Sequence, residues 1–206
     1  MFSKLQYISQ GNTSAAQLQN ISEALDAGCK WIQLRFKNAA ANEFIELAYE
    51  VKKRCVTNEA TFIVNDHPKI AKEVLADGVH LGLNDMQVEE AKKILGNKII
   101  GGTANTLQDV LKRVKEDCSY VGLGPFRFTN TKEKLSPILG LQGYINIMNE
   151  LSERTIHTPI YAIGGIQQDD ISAIMQTGIY GIAMSGTITQ HPDKKLLLTQ
   201  LNALLI

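Results

Sequence analysis

Eight short apolar segments recur along the 206-residue chain, and amphipathic segments with a helical period separate them. Each apolar segment is rich in Ile, Val or aromatic residues and is bounded by glycine or polar residues, which is typical of strands buried on both faces. The segments are residues 5–9, 31–36, 61–65, 78–82, 99–103, 120–124, 159–165 and 181–186. Strands that alternate with helices pair in parallel through right-handed crossovers, so the pattern predicts an α/β fold.

Eight strand–helix units close naturally into a (β/α)₈ barrel, the TIM barrel, although the chain is shorter than the roughly 250 residues usual for that fold. The alternative is an open doubly wound sheet, but no glycine-rich dinucleotide-binding turn follows the first apolar segment. The chain is 44% hydrophobic and has no long linker, so it can bury one core. We therefore predict a single TIM-barrel domain over residues 1–206.

Charge and cysteine content limit the classes of function. The 21 basic and 21 acidic residues cancel, which argues against broad electrostatic binding to nucleic acid or to an anionic membrane. Cys29, Cys55 and Cys118 are scattered and lack metal-ligand spacing, which indicates reduced thiols in a cytoplasmic protein. We find no signal peptide and no apolar run of the roughly 20 residues that cross a bilayer. A homo-oligomer is as compatible with the sequence as a monomer.

Polar residues follow the second apolar segment, where a barrel places its active face. Alternation along a strand puts Gln33, Arg35 and Lys37 on the same side, facing the barrel axis or its mouth. Charges inside a barrel need an anionic partner, because an unpaired buried charge is costly. The alternative is a pair of solvated charges in the loop.

Two carboxylates follow the third and fourth apolar segments. Asp66 and Asp85 could share a hard divalent cation such as Mg²⁺, which prefers oxygen ligands and bound phosphate. Because each precedes a predicted helix, either could instead be an N-cap.

Two further strand ends suit a phosphate. Gly164-Gly165 and Ser185-Gly186 follow the seventh and eighth apolar segments, where barrel enzymes usually bind phosphate through backbone N–H groups. The alternative is simple turn chemistry. The long loop after the sixth segment, residues 126–139, offers two hydroxyls and a cation for phosphate, unless it is an ordinary polar surface loop. Those three residues are Thr129, Thr131 and Lys132.

The histidines and the single tryptophan are weaker candidates. His80 alternates with apolar neighbours in the fourth segment, which favours an interior residue over a catalytic one. The other histidines form neither a catalytic triad nor a metal spacing. Trp31 opens the second segment and is predicted to pack in the core.

Four motifs follow one another along the chain: Q-x-R-x-K, ND, ADGVHLG-x-x-D and T-x-T-K. With these motifs in this order, the chain resembles the thiamine phosphate synthase family over nearly its whole length. The resemblance implies that one group of residues holds an aminopyrimidine diphosphate: Gln33, Arg35, Lys37, Asn65, Thr103 and Lys132. It implies that Asp66 and Asp85 bind Mg²⁺. It implies that a second group holds a thiazole phosphate: Thr129, Thr131, Gly164, Gly165, Ser185 and Gly186.

The implied activity is that of a transferase in thiamine biosynthesis. It joins 4-amino-2-methyl-5-hydroxymethylpyrimidine diphosphate to a thiazole phosphate or its carboxylate and releases diphosphate. Arg35, Lys37 and Lys132 would act catalytically on the departing diphosphate. Two alternatives stay open: a thiazole tautomerase of the same barrel family, and a non-catalytic phosphate-binding barrel. The substitutions Phe36 and His67, against the family's usual residues, keep the second alternative open.

Overall fold

The computed structural model describes residues 2–37, 39–128 and 137–205, and its eight parallel strands close into a barrel in chain order. The TIM-barrel prediction is confirmed, and all eight predicted strands are present. They are β1 (Leu5–Ile8), β2 (Trp31–Leu34), β3 (Thr61–Asn65), β4 (Gly78–Leu81), β5 (Ile99–Ala104), β6 (Tyr120–Leu123), β7 (Ile160–Ile163) and β8 (Gly181–Met184).

Helices surround the barrel and bury their apolar faces against the strands. In α1, for example, Ile21, Ala24 and Leu25 recur at helical spacing and are buried. The helices are α1 (Ser14–Asp26), α2 (Ala41–Thr57), α3 (Pro68–Glu73), α4 (Val88–Leu95), α5 (Leu107–Lys115), α6 (Gly140–Glu153), α7 (Ile171–Met175), α8 (Gly186–Thr189) and α9 (Lys194–Leu204). A 3₁₀ turn, Gln168–Asp170, precedes α7.

The last strand pairs with the first and so closes the barrel. In this pairing Tyr7 lies opposite Met184, and on the other edge of β1 it lies opposite Ile32 of β2. Because all eight strands are parallel, their carboxyl ends lie at one rim. The loops after β2, β3, β4, β7 and β8 therefore face a common mouth.

Aromatic side chains fill the opposite end of the barrel. The Trp31 ring lies 5.1 Å from that of Tyr120 and 5.2 Å from that of Tyr161, both edge-on, and Phe2 covers Trp31 at 4.9 Å. The predicted packing role of Trp31 is confirmed. This aromatic cluster leaves the carboxyl-terminal mouth as the place for a ligand.

A buried arginine ties α5 to the ends of β4 and β5. Arg113 is 3% exposed; its Nε donates to the carbonyl of Thr103 (3.2 Å) and its Nη2 to that of Gly82 (2.8 Å). Its Nη1 pairs with Glu116 at 2.8 Å. Gly102 leaves room for this side chain, because a Cβ there would lie 2.6 Å from Arg113 Cδ. Arg113 thus holds the end of β5 and the loop after β4 in place.

The three cysteines are free and buried, as expected of reduced thiols. Within the described parts of the chain, no helix combines the length and the apolar character that a membrane crossing needs.

We expect Arg113→Met to lower the free energy of unfolding by at least about 2 kcal/mol, because two carbonyls and Glu116 lose a charged donor. Lys112→Met is the matched control. Lys112 reaches the same Glu116 only at 3.8 Å from an exposed position, so its loss should cost under about 0.5 kcal/mol. Urea unfolding measures both, and equal small losses would contradict the role given to Arg113.

Candidate active site

A cavity of about 470 Å³ lies inside the mouth formed by the strand ends. All eight strands contribute to its lining, through residues at their carboxyl-terminal ends or in the loops that follow. Eight of the predicted site residues line it: Gln33, Arg35, Asn65, Thr103, Gly164, Gly165, Ser185 and Gly186. The structure therefore brings these eight predicted residues together around one cavity.

Gln33 presents a buried hydrogen-bond acceptor to this cavity. Its Nε2 donates to Asn65 Oδ1 at 2.7 Å, which fixes the orientation of the amide. Gln33 is 2% exposed, and among the described residues its Oε1 has no hydrogen-bond partner. A buried carbonyl oxygen without a partner costs free energy that a ligand donor would recover.

The two predicted cations lie beyond the end of β2. Arg35 is half-buried, and its backbone is held at both ends: its N–H donates to Ser9 Oγ at 3.0 Å and its carbonyl accepts from Gln17 Nε2 at 3.1 Å. Lys37 is exposed. Both line a smaller cavity of about 360 Å³ beside Asp66.

The Asp66 and Asp85 carboxyl groups lie close enough to each other to interact. Burial of Asp66, followed by the hydrogen bond and the charge of Asp85, raises the pKa of the Asp66 carboxyl to about 7, although the charges of Arg35 and Lys37 oppose the shift. Asp66 also has a left-handed backbone (φ 65°) and donates its N–H to the carbonyl of His80. The two acids are thus held together against their mutual repulsion.

Neither acid caps a helix. The N-cap positions of α3 and α4 are His67 and Gln87, and neither makes a side-chain cap hydrogen bond. Asp85 Oδ2 instead accepts from the backbone N–H of Gly82 at 2.5 Å, within its own loop. The alternative reading of these two residues as N-caps is therefore wrong.

This pair fits a hard divalent cation. Among the described residues, neither acid forms an ion pair, and no cluster of three or more His, Cys, Asp or Glu side chains is suited to a metal. Mg²⁺ is commonly held by one or two carboxylates and takes its other oxygen ligands from water and substrate phosphate. Asp66 and Asp85 supply such a pair next to a cationic cavity.

The seventh and eighth loops bring backbone donors to the cavity. Gly164 and Gly165 have φ values of 101° and 69°, and a Cβ on Gly164 would lie 2.7 Å from Pro125, so only glycine suits this turn. The N–H groups of Gly165 and Gly186 have no acceptor within the described ranges. Ser185 differs, because its hydroxyl donates to the carbonyl of Ile8 at 2.7 Å. Backbone rather than the serine hydroxyl is offered to an anion here.

Sequence reasoning missed a clamp between the sixth and seventh loops. Arg127 makes a bidentate pair with Asp170 (2.7 and 2.8 Å), and its Nη1 also donates to the carbonyl of Gly165 at 3.0 Å. Its backbone N–H donates to the carbonyl of Gly164. No spacing rule pairs residues 43 positions apart, so the clamp had no sequence signal.

His80 is an interior residue with satisfied ring nitrogens, as predicted. It is 7% exposed, and its two ring nitrogens lie 3.0 Å from the hydroxyls of Tyr120 and Thr103. The predicted ligands Thr129, Thr131 and Lys132 lie outside the described residues. Phe128 and Ile138, on either side of that segment, both line the cavity.

Comparison with known proteins gives one consistent result. The family model for thiamine monophosphate synthase matches residues 5–188. A thiamine-phosphate synthase of Flavobacterium johnsoniae is 57% identical over 98% of this chain and 96% of its own length, and one of Bacteroides fragilis is 48% identical over 92% and 93%. The structure of a thiamine phosphate pyrophosphorylase from Pyrococcus furiosus superposes with a TM-score of 0.85, at 30% identity over 98% and 95% of the two chains.

We expect Asp85→Asn to stabilise the protein in a chelator at pH 8, on the order of 1 kcal/mol after solvent screening. Because the pKa of Asp66 is raised from 3.8 to about 7, the stability linked to its protonation is lost as pH rises through that range. The mutant's advantage should therefore shrink toward pH 5. Urea unfolding at both pH values measures it, with Asp26→Asn, an exposed carboxylate at the end of α1, as control. A pH-independent difference would show that the two acids do not interact.

Proposed function

The chain belongs to the thiamine monophosphate synthase family, and on that premise we propose that its barrel mouth joins an aminopyrimidine diphosphate to a thiazole phosphate. The protein is then a transferase that forms thiamine phosphate and releases diphosphate, together with carbon dioxide when the carboxylated thiazole is used. The first substrate is 4-amino-2-methyl-5-hydroxymethylpyrimidine diphosphate; the second is the thiazole phosphate or its carboxylate. We further propose that residues 1–206 act as one domain, in the cytoplasm, where phosphorylated metabolites and reduced thiols coexist.

One observation carries this proposal: Arg35, Lys37 and Asp66 line the smaller cavity, which shares Arg35 and Asn65 with the larger one. In the larger cavity the buried acceptor Gln33 Oε1 has no partner among the described residues. An acid pair with nearby Arg35 and Lys37 suits a metal-bound diphosphate, whereas a phosphate monoester alone would need neither acid. The Oε1 atom of Gln33 suits the exocyclic amino group of the pyrimidine. Thr103, on the next face of the cavity, would contact the same ring.

The diphosphate leaves from the pyrimidine methylene carbon. The negative charge that develops on the departing diphosphate must be neutralised as the carbon–oxygen bond breaks. Mg²⁺ held by Asp66 and Asp85 would neutralise part of the diphosphate charge. Arg35 and Lys37 add two positive charges on the same side, and Asn65 adds an amide donor. We assign Lys132 to the same diphosphate. The electron-rich aminopyrimidine stabilises the carbocation that remains.

The thiazole nitrogen attacks that carbon with its free lone pair, so no general base is needed. The chain's task is to hold the second substrate in line. We propose that the backbone N–H groups at Gly165 and Gly186 bind its phosphate, with Gly164 and Ser185 shaping the loops. Thr129 and Thr131 are assigned to the same substrate.

The direct test is to mix the purified protein, both substrates and Mg²⁺ and to measure thiamine phosphate. We expect turnover by the wild type and losses of at least about a hundredfold in Asp66→Asn and Asp85→Asn, because each removes charge from the proposed metal site. Asp26→Asn should retain full activity.

Two outcomes would contradict the proposal. Isomerisation of the thiazole phosphate carboxylate without use of the pyrimidine would indicate a tautomerase. Turnover that survives chelation in both site variants would remove the role given to the metal.

The Arg127 clamp gives a further expectation. Arg127→Met should raise the KM for thiazole phosphate about tenfold and leave the KM for the pyrimidine diphosphate nearly unchanged, because it releases the loop that carries Gly164 and Gly165. Arg154→Met, which removes an exposed pair with Glu150 on α6, is the control. Steady-state kinetics with each substrate varied in turn measures the two KM values. An equal rise in both would argue against a local effect on the thiazole site.

A further inference from the structure

Four side chains form a continuous hydrogen-bonded row from the barrel interior to the cavity. Gln6 Nε2 donates to the hydroxyl of Tyr120 at 3.2 Å. That hydroxyl lies 3.0 Å from Nδ1 of His80, and Nε2 of the same ring lies 3.0 Å from the hydroxyl of Thr103. The row crosses the barrel from β1 to β6, β4 and β5. Thr103 and His80 line the cavity, whereas Gln6 and Tyr120 are buried beneath it.

The direction of these hydrogen bonds is set at Tyr120. Its oxygen accepts from the Gln6 amide, and burial raises the pKa of the phenol, so the hydroxyl keeps its proton. Within the described part of the chain, Gln6 and His80 are the hydrogen-bond partners of this hydroxyl. The Tyr120 ring itself packs edge-on against the rings of Phe2, Trp31 and Tyr161, which offer no hydrogen-bond acceptor oxygen or nitrogen lone pair from their ring faces. A buried O–H without an acceptor is costly, so the Tyr120 proton points to Nδ1 of His80.

This fixes the tautomer of the histidine. Nδ1 accepts a hydrogen bond, so the neutral imidazole carries its proton on Nε2. The Nε2–H group then donates to the hydroxyl oxygen of Thr103. Among the described residues no protein group accepts the proton of the Thr103 hydroxyl, and that hydroxyl lines the cavity. Its O–H therefore serves as a donor to a ligand.

We infer that Gln6, Tyr120 and His80 are positioning residues that make the Thr103 hydroxyl a hydrogen-bond donor to a ring nitrogen of the pyrimidine substrate. The inference rests on the proposed function. It gives the cavity two opposite polarities: Thr103 donates, and Gln33 Oε1 accepts. An aminopyrimidine has the matching pattern, a ring nitrogen that accepts and an exocyclic amine that donates. A ring that lacks this nitrogen would leave the Thr103 donor unpaired.

Spectroscopy tests the row without any turnover. Long-range ¹H–¹⁵N spectra of protein with ¹⁵N-labelled histidine distinguish the two tautomers, and His80→Asn identifies the signal of His80 among the four histidines. We expect wild-type His80 to carry its proton on Nε2 and Tyr120→Phe to populate both tautomers. A wild-type His80 with its proton on Nδ1 would overturn the inference, even if the enzyme made thiamine phosphate. If His80 carries its proton on Nε2 but the protein makes no thiamine phosphate, the proposed function is wrong and the hydrogen-bonded row stands.

Kinetics tests the consequence at the substrate. We expect Tyr120→Phe to raise the KM for the pyrimidine diphosphate about tenfold, with the KM for thiazole phosphate unchanged. Tyr161→Phe is the matched control, since it removes a hydroxyl of the same aromatic cluster that donates instead to the carbonyl of Ser3. Thr103→Val, which removes the hydroxyl itself, should raise the same KM as much as Tyr120→Phe does.

The double variant completes the cycle. In the Thr103→Val background, Tyr120→Phe should have no further effect on pyrimidine KM, because the group that it orients is gone. Additive losses would mean that Tyr120 acts on the site by another route and would overturn the inference. An equal effect of Tyr161→Phe would assign the loss to packing, with the same consequence. Thermal unfolding of each variant confirms that the compared proteins are folded.

Discussion

The pairing of β8 with β1 is the constraint on which the rest of the structure depends. It closes the sheet, so the carboxyl ends of all eight strands surround one mouth. Acids after β3 and β4 then lie beside cations after β2, and glycines after β7 and β8 complete the cavity wall. The aromatic cluster around Trp31 fills the other end. Closure thus decides where a ligand enters and which residues it meets.

Much of the fold follows from local sequence, because strands covered on both faces appear as continuous apolar runs, whereas helical segments do not. The ends of the elements depend on distant partners and were less well predicted. The second run was expected to continue through Phe36, but β2 ends at Leu34, where Ser9 and Gln17 take the backbone groups of Arg35. The short helix α8 was not predicted.

The residues around the cavity could be predicted because the carboxyl ends of the parallel strands all lie at one rim of the barrel. Their hydrogen bonds could not. The N-cap alternative for Asp66 and Asp85 was reasonable from sequence, yet the N-cap positions are His67 and Gln87. Asp66 has a left-handed backbone, and Asp85 accepts from the N–H of Gly82 instead. The row through Tyr120 and His80 joins four strands, and the direction of a side chain inside a barrel is known only once the pairing register of the strands is known. Physical proximity, rather than spacing, creates these interactions.

We propose that Asp66 and Asp85 become a cation site when a diphosphate fills the adjacent cationic cavity. Calorimetric titration of Mg²⁺ into the protein at pH 7, with and without diphosphate, tests it in two buffers that differ in ionisation enthalpy. We expect tight binding only with diphosphate, accompanied by proton release, because burial and the neighbouring Asp85 raise the pKa of Asp66 to about 7 before the metal binds. Binding without proton release, or binding that persists unchanged in Asp66→Asn, would contradict it.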